Sequence, residues 1–444
     1  VIVARHIPVA PDALGVARRL AAAGGRCVAL LHGAARDEAL PGAGRWSFVA
    51  ADPDRASALL DPLADDPDWG SGGDAGPLAF VPRWIGVIPY EARRALERPA
   101  WTGRDTRPPA RISAPVWHRY PAVVCVDHEE GRVIAAGGDR SAVERLASTL
   151  RAGAAPPPPA LQVDVEEGEP PDRHAERIAA ALELIRRGDL YQVNLARRLE
   201  VRLRAGDPLA LYAGLGRRAP APFGACLALG GGLAVVSTSP ELLLRAAPAA
   251  PPRAFGALFT APIKGTRPRG RDAAEDAALA RELDLDPKER AELTMIVDVE
   301  RHDLGGVAET GSVRLLAGPH VTTHRTVHHR LALIGARARA GAGRAEVIAA
   351  MVPSGSVTGA PKVRAMEVIA RLEAARRGLY TGGIGYVAHD GGVTLAMAIR
   401  TAVLEGDTGE YWAGGGIVAD SDPDREVEET RWKAIQLLRA ARSG

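Results

Sequence analysis

At 444 residues the chain has room for a large core or for two or three domains. Charged residues make up 25% and hydrophobic residues 46%, and 56 Lys plus Arg nearly balance 54 Asp plus Glu for a net charge of +2. Arginines interleaved with acids argue against a nucleic-acid partner, and no apolar run reaches the ~20 residues of a membrane span.

The start, V-I-V-A-R-H-I-P, lacks the charged head and apolar run of a signal peptide, so the expectation is a cytoplasmic protein. Residues 1–153 read as mixed strands and helices, with strands at Cys27–Leu31, Gly44–Val49, Trp84–Tyr90 and Ala122–Val126 and a loop at Asp61–Gly76. Cys27, Cys125 and Cys226 are too far apart for a C-x-x-C or zinc pattern and read as plain thiols. A Pro/Glu-rich junction follows at 154–170, and 171–444 forms the more regular region. There a helix spans Asp172–Gly188, strands run at Tyr191–Leu195, Phe223–Leu229, Leu233–Ser237 and Phe255–Ile263, and Ala246–Pro252 is a loop. Helices follow at Asp272–Leu283, Pro287–Arg301 and Pro361–Arg376, with extended chain at Arg314–Thr323. Strands Thr394–Leu404 and Tyr411–Val418 lead to a closing helix at Asp424–Arg439. Without strict strand–helix alternation the fold class is α+β rather than a parallel wound sheet.

Only four of the basic residues are lysines: Lys264, Lys288, Lys362 and Lys433. Arginine is a permanent charge, whereas lysine can lose its proton and attack carbon, so Lys264 in A-P-I-K-G-T-R-P-R-G is a candidate nucleophile. An isolated lysine in an Arg/Pro-rich loop is more often a surface residue, so its company must decide. Glu289 and Glu292, and again Glu426 and Glu429, stand three apart and share a helical face. Two such pairs suit Mg²⁺, a hard cation that prefers oxygen ligands, although solvated helix faces carry the same spacing. Gly414, Gly415 and Gly416 interrupt a strand, as where a ligand approaches the main chain or where strands cross closely. Arg400 could grip a carboxylate. The segment Gly355–Lys362 fails the phosphate-loop pattern because Pro361 precedes the lysine, so a nucleotide site is not expected.

Taken together and in order, Y-Q-V-N-L, S-P-E, P-I-K-G-T-R-P-R, M-I-V-D-x-x-R-x-D, G-S-V-T-G-A-P-K-V-R-A-M-E, I-R-T and A-G-G-G-I-V-A-D-S-D-P-x-x-E-x-x-E-T resemble the chorismate-utilising enzymes over about residues 170 to 440. The resemblance implies an antiparallel β-sandwich core with helices packed outside. The likeness is greatest to aminodeoxychorismate synthase subunits. Anthranilate synthase subunits usually carry Ala where Lys264 stands, and isochorismate and salicylate synthases usually carry lysine where Gln192 stands. It further implies Mg²⁺ held by Glu292 and Glu429 with Glu289 and Glu426 nearby, Lys264 as nucleophile, Glu241 as general acid, and Gln192 in the catalytic group. Thr266, Thr358, Tyr386, Arg400, Gly414, Gly415, Gly416 and Lys433 would line the substrate site. The substrates implied are chorismate and ammonia, the latter from a separate glutamine amidotransferase subunit or from solution. The pattern departs at V-T-T-H-R-T, where Thr323 stands in register with a family histidine and His324 follows, and at His302 in place of Asn. The run that contributes to tryptophan feedback in anthranilate synthases reads L-L-H-G here, so weak or absent tryptophan inhibition is expected. The alternatives are an anthranilate synthase subunit and a non-catalytic chorismate-binding homologue.

Overall fold

The structure, a computed structural model, describes residues 2–33, 40, 43–69, 76–95, 105–250 and 254–441. Among the described residues two antiparallel sheets, of twelve and ten strands, face each other. The larger runs from Val3–Ile7 through Arg132–Gly137, Ala122–Asp127, Trp46–Ala50 and Ala29–His32 to Phe223–Gly230, Leu233–Ser239, Thr401–Glu405, Thr408–Ile417, Gln192–Ala205 and Gly359–Ala360, with Gln162–Glu167 beside Gln192–Ala205. The smaller runs from Ile263–Pro268 through Val327–Arg337, Phe255–Ala261, Leu242–Pro248, Val393–Met397 and Gly383–Ala388 to Pro82–Ile88, Val116–Arg119 and Arg55–Ser57, with Arg314–Thr323 on Val327–Arg337.

Alternation along the strands builds the layers. Phe48, Val123, Cys125, Ala225, Leu227 and Val403 from one sheet meet Ile85, Val87 and Ile384 from the other between the sheets. Their neighbours Leu30, Val49, Val124 and Cys226 point outward and are covered by Val16, Leu20, Val143, Ala147, Leu211 and Leu215 of the outer helices. This is the expected sandwich with helices outside. Cys27, Cys125 and Cys226 are free, and burial pushes the last two thiols up. Among the described residues no helix is long and apolar enough to cross a membrane.

The sheets do not respect the expected boundary at 153/154. Ala29–His32 pairs with Phe223–Gly230, and Pro82–Ile88 pairs with Gly383–Ala388, so both sheets are shared by the two regions. The junction itself supplies the strand Gln162–Glu167. The stretch read as one strand, Thr394–Leu404, divides into Val393–Met397 in the smaller sheet and Thr401–Glu405 in the larger. Arg400 makes the turn between them with φ of +51°, a left-handed conformation rare for a non-glycine residue. Asp61–Gly76 is not plain loop either: Pro62–Asp65 is a short 3-10 helix, and Asp66 is buried against Arg83, Arg119 and Trp84, while 70–75 lie outside the described residues.

Candidate active site

Lys264 lies on the edge strand Ile263–Pro268, which pairs with Val327–Arg337. The register slips between Lys264 and Thr266, where Gly265 has φ of +80°, so a glycine bulge turns the lysine out of the ladder. Its Nζ donates to the carbonyl of Ser356 at 3.2 Å. The same serine's hydroxyl donates to Glu241 Oε1 at 2.9 Å, so one residue holds both the amine and the carboxyl. Burial pushes Glu241 up to about 7, against the hydrogen bond from Ser356 and the charges of Lys264 and Arg400.

Opposite the lysine stands Gln192, the first residue of Gln192–Ala205, fully buried with neither its amide oxygen nor its amide nitrogen partnered. The adjoining strand explains how it fits. A Cβ on Gly416 would stand 2.4 Å from Gln192 Nε2 and 3.7 Å from Lys264 Nζ, so only a bare backbone leaves both groups room. A Cβ on Gly415 would come within 2.8 Å of Glu426 Oε2, and one on Gly414 within 2.9 Å of the Tyr380 hydroxyl. The glycine run is thus a bare floor closely flanked by an amine and an amide at Gly416, a phenol at Gly414 and, on the alternate face, carboxylates at Gly415.

The carboxylates arrive on two helices. Pro287–Gly305 begins at Asp286, whose side chain accepts from the amides of Lys288 and Glu289 and is gripped by Arg267, three residues beyond Lys264. Glu289 is raised by burial and then by Glu292, and Glu292 by burial and by Glu429 and Glu426, so the two acidic pairs feel each other across the cleft. On Pro423–Ala441, Glu426 is raised by burial, accepts from Ser421 at 2.7 Å and keeps Oε2 without a partner. Burial pushes Glu429 up too, but Lys433, 2.7 Å away, outweighs it and holds the carboxyl below its usual value. Lys433 also donates to the carbonyl of Gly414 at 2.8 Å. Among the described residues no three side chains of the metal-ligating types stand as a ready ligand group. The donors are nevertheless of the kind a hard cation takes: carboxylate oxygens close enough to raise one another, with one oxygen of the buried Glu426 orphaned.

Residues 40–439 match the chorismate binding enzyme family. The chain belongs to this family. It is 36% identical to anthranilate synthase component 1 of Streptomyces coelicolor over 432 residues, 90% of this chain and 81% of that one. It is also 38% identical to an aminodeoxychorismate synthase of Streptomyces griseus over 375 residues, 82% of this chain but only 50% of the relative's length. Among solved structures it resembles anthranilate synthase component I from Streptococcus pneumoniae, with a TM-score of 0.75 and 28% identity over 90% of this chain and 93% of that one. Family membership therefore reaches well into the first 150 residues, beyond the motifs that begin near residue 170.

For this chorismate-binding chain the structure corrects one assigned substrate contact. Tyr386 lies between the sheets, its ring 5.4 Å from Phe48, beside a cavity of about 100 Å³ lined by Leu31, His32, Gly33 and Phe223. On an alternating strand its side chain falls on the inner face, away from the glycine floor. Tyr380, six residues earlier, takes that place: it stacks on Trp412 and aims its hydroxyl at Gly414. Thr358 is fully buried and donates back to the carbonyl of Ser354 at 2.9 Å, so it stiffens the Ser354–Thr358 loop. Thr266 shares a hydrogen, at 2.9 Å, with His329. His329 was not legible as a site residue; burial, and then Arg400, pushes its pKa well below the usual value, so the ring is neutral beside the site. Thr323 instead contacts His328, and His324 contacts Thr322.

Proposed function

We propose that the chain aminates chorismate at C4, giving 4-amino-4-deoxychorismate as the precursor of p-aminobenzoate. The observation that carries this reading is the meeting of Lys264 and the unpartnered Gln192 amide over Gly416, with Glu241 reached through the serine that holds the lysine. Lys264, as the free amine, attacks C2 of the ring. The two ring double bonds shift, and the C4 hydroxyl leaves as water with a proton from Glu241, whose raised pKa leaves much of it protonated near neutral pH. Ammonia then adds at C4 and Lys264 departs from C2, so chorismate and ammonia give the amino compound and water with the pyruvyl ether intact. Gln192 orients ammonia or the ring through an amide that the protein leaves unsatisfied. Arg400, partly buried beside Glu241, and Lys433 neutralise substrate carboxylates. Mg²⁺, held by Glu292 and Glu429 with Glu289 and Glu426 beside them, would supply the positive charge that anchors the ring carboxylate. Ammonia comes from an amidotransferase partner subunit or from solution.

Anthranilate synthase activity is the second reading, favoured by the 36% identical relative that spans 90% of this chain. Product analysis separates the two. Purified chain, chorismate, Mg²⁺ and excess ammonium at alkaline pH should give a product that a downstream lyase converts to p-aminobenzoate, and Lys264→Ala should abolish it. Fluorescent anthranilate as the sole product would overturn the C4 assignment.

A further inference from the structure

Glu300 lies on the buried side of Pro287–Gly305, two turns past the carboxylate pair, and is completely inaccessible to solvent. Among the described residues no cation pairs with it directly. Its neighbour Asp303 takes the one lysine within reach, Lys362, at 2.5 Å. One oxygen of Glu300, Oε2, has no partner among the described residues, and the other is hydrogen-bonded to the hydroxyl of Ser354 and accepts from the amide of Ser356 at 3.4 Å. From there the contacts run in one line: Ser354 Oγ to Ser356 Oγ at 2.9 Å, and Ser356 Oγ to Glu241 Oε1 at 2.9 Å. Four buried oxygen groups thus join the proposed general acid to a second carboxyl that does not touch the cleft.

We propose that Glu300 is a positioning residue that supplies protons to Glu241 through the hydroxyls of Ser354 and Ser356, an assignment that rests on the general-acid reading of Glu241. A hydroxyl carries a single hydrogen, so Ser354 cannot donate to Glu300 and to Ser356 at once. The chain closes with every hydrogen used when Glu300 is the carboxylic acid: it donates to Ser354, Ser354 to Ser356, and Ser356 to the Glu241 carboxylate. Shifting each hydrogen along its bond leaves Glu300 as carboxylate and Glu241 as acid, moves one proton and breaks no heavy-atom bond. After Glu241 has protonated the departing hydroxyl, the relay restores it without opening the cleft to water. The proton that ammonia sheds on adding at C4 returns along the same path.

The surroundings suit a shared proton. Burial, and then the charge of Asp303, pushes Glu300 up, opposed by Lys362 and by the hydrogen bond to Ser354. Glu241 is faced by Ser356, Lys264, the Ile263 amide and Arg400, and its charge disfavours ionisation of Glu300. A purely structural carboxyl in this core has a different form. Glu373, equally buried, is locked to Arg377 by hydrogen bonds of 2.7 and 3.0 Å and by the amide of Ala196.

The test pairs infrared spectroscopy with kinetics on Glu300→Gln, Ser356→Ala and Ser356→Thr. In the wild type, protonated-carboxyl bands should persist at neutral pH and fade as the pH rises. Glu300→Gln should remove one band and move that of Glu241 to lower pH, because the carboxyl with which it exchanges a proton is gone. Ser356→Ala should uncouple the two titrations, and Ser356→Thr, which keeps the hydroxyl, should restore the coupling. In turnover, Glu300→Gln should lower kcat by about tenfold, less than the roughly 10²–10⁴ expected for loss of the acid itself, with KM for chorismate unchanged and the basic limb shifted down. Absence of a protonated carboxyl at neutral pH, or an unshifted band in Glu300→Gln, would overturn the relay whatever the activity. If the wild type turns over chorismate and Glu300→Gln keeps its kcat and pH profile, the relay fails and the function stands. If the wild type gives no aminated product, the function fails and the infrared result still decides the relay.

Discussion

Two buried polar regions lie within a few residues of each other and are built on opposite terms. At Arg377 the charges are satisfied: the guanidinium binds both oxygens of Glu373, the carbonyls of Val357 and Asn194, and lies 4.9 Å over the Tyr90 ring. This knot ties the Gln192 strand to the Ser354–Thr358 loop. Around the glycine floor, Gln192 has no partner, Glu426 is half satisfied, and Glu289, Glu292 and Glu241 are all raised. Buried groups that find partners hold a fold; buried groups left short of partners are poised for something that arrives later. The contrast sets a closed ion pair beside a cleft whose polar groups remain open to a ligand.

The largest test of this contrast is Arg377→Ala, which leaves Glu373 as an uncompensated buried charge and should cost about 3–5 kcal/mol in denaturant unfolding. A loss below 1 kcal/mol would mean that the knot is not structural. Glu241→Gln should behave oppositely. Its carboxyl is raised on folding, so the native state holds the proton more tightly, and stability falls as the pH climbs from the unfolded value through about 7. The variant escapes that penalty: against wild type it should gain stability between pH 5 and pH 8, on the order of 3 kcal/mol, while losing roughly 10²–10⁴ in kcat. Constant relative melting temperatures over that range would refute the raised pKa. Next in size is Mg²⁺. At about a hundredfold excess over its Kd it should stabilise the wild type by about 2.7 kcal/mol, and Glu292→Gln/Glu429→Gln should show no such gain. The smallest effect is Gln192→Leu, which removes an amide that the protein never satisfies. Its stability should stay within about 1 kcal/mol of wild type or rise, and only turnover should suffer.

Much of the site was legible because its chemistry is local. Rare lysines among many arginines, carboxylates three apart, and three consecutive glycines are visible in a linear chain, and the structure brings Lys264, Gln192, Glu241 and the glycines to one floor. Two tyrosines six residues apart are not distinguished in that way. Tyr380 and Tyr386 differ only in which side of the sandwich each faces, and that depends on where the strand Gly383–Ala388 begins. Nothing local sets Glu300 apart from the other acids of its helix, since the two serines that reach it come more than fifty residues later. His329 was hidden for the same reason, as its partner Thr266 comes from a neighbouring strand 63 residues away.

By itself, then, the sequence determined the periodic elements, the α+β class, the helical faces of the acid pairs and the residue types able to do the chemistry, because these depend on neighbours within a turn or two of chain. Tertiary structure alone decided that residues 1–153 share both sheets with the rest, that the chain crosses between sheets at Arg400, and which polar groups end up paired. Sheet pairing and burial are set by contacts between distant segments, and whether a buried polar atom finds its partner can be read only once those segments have met.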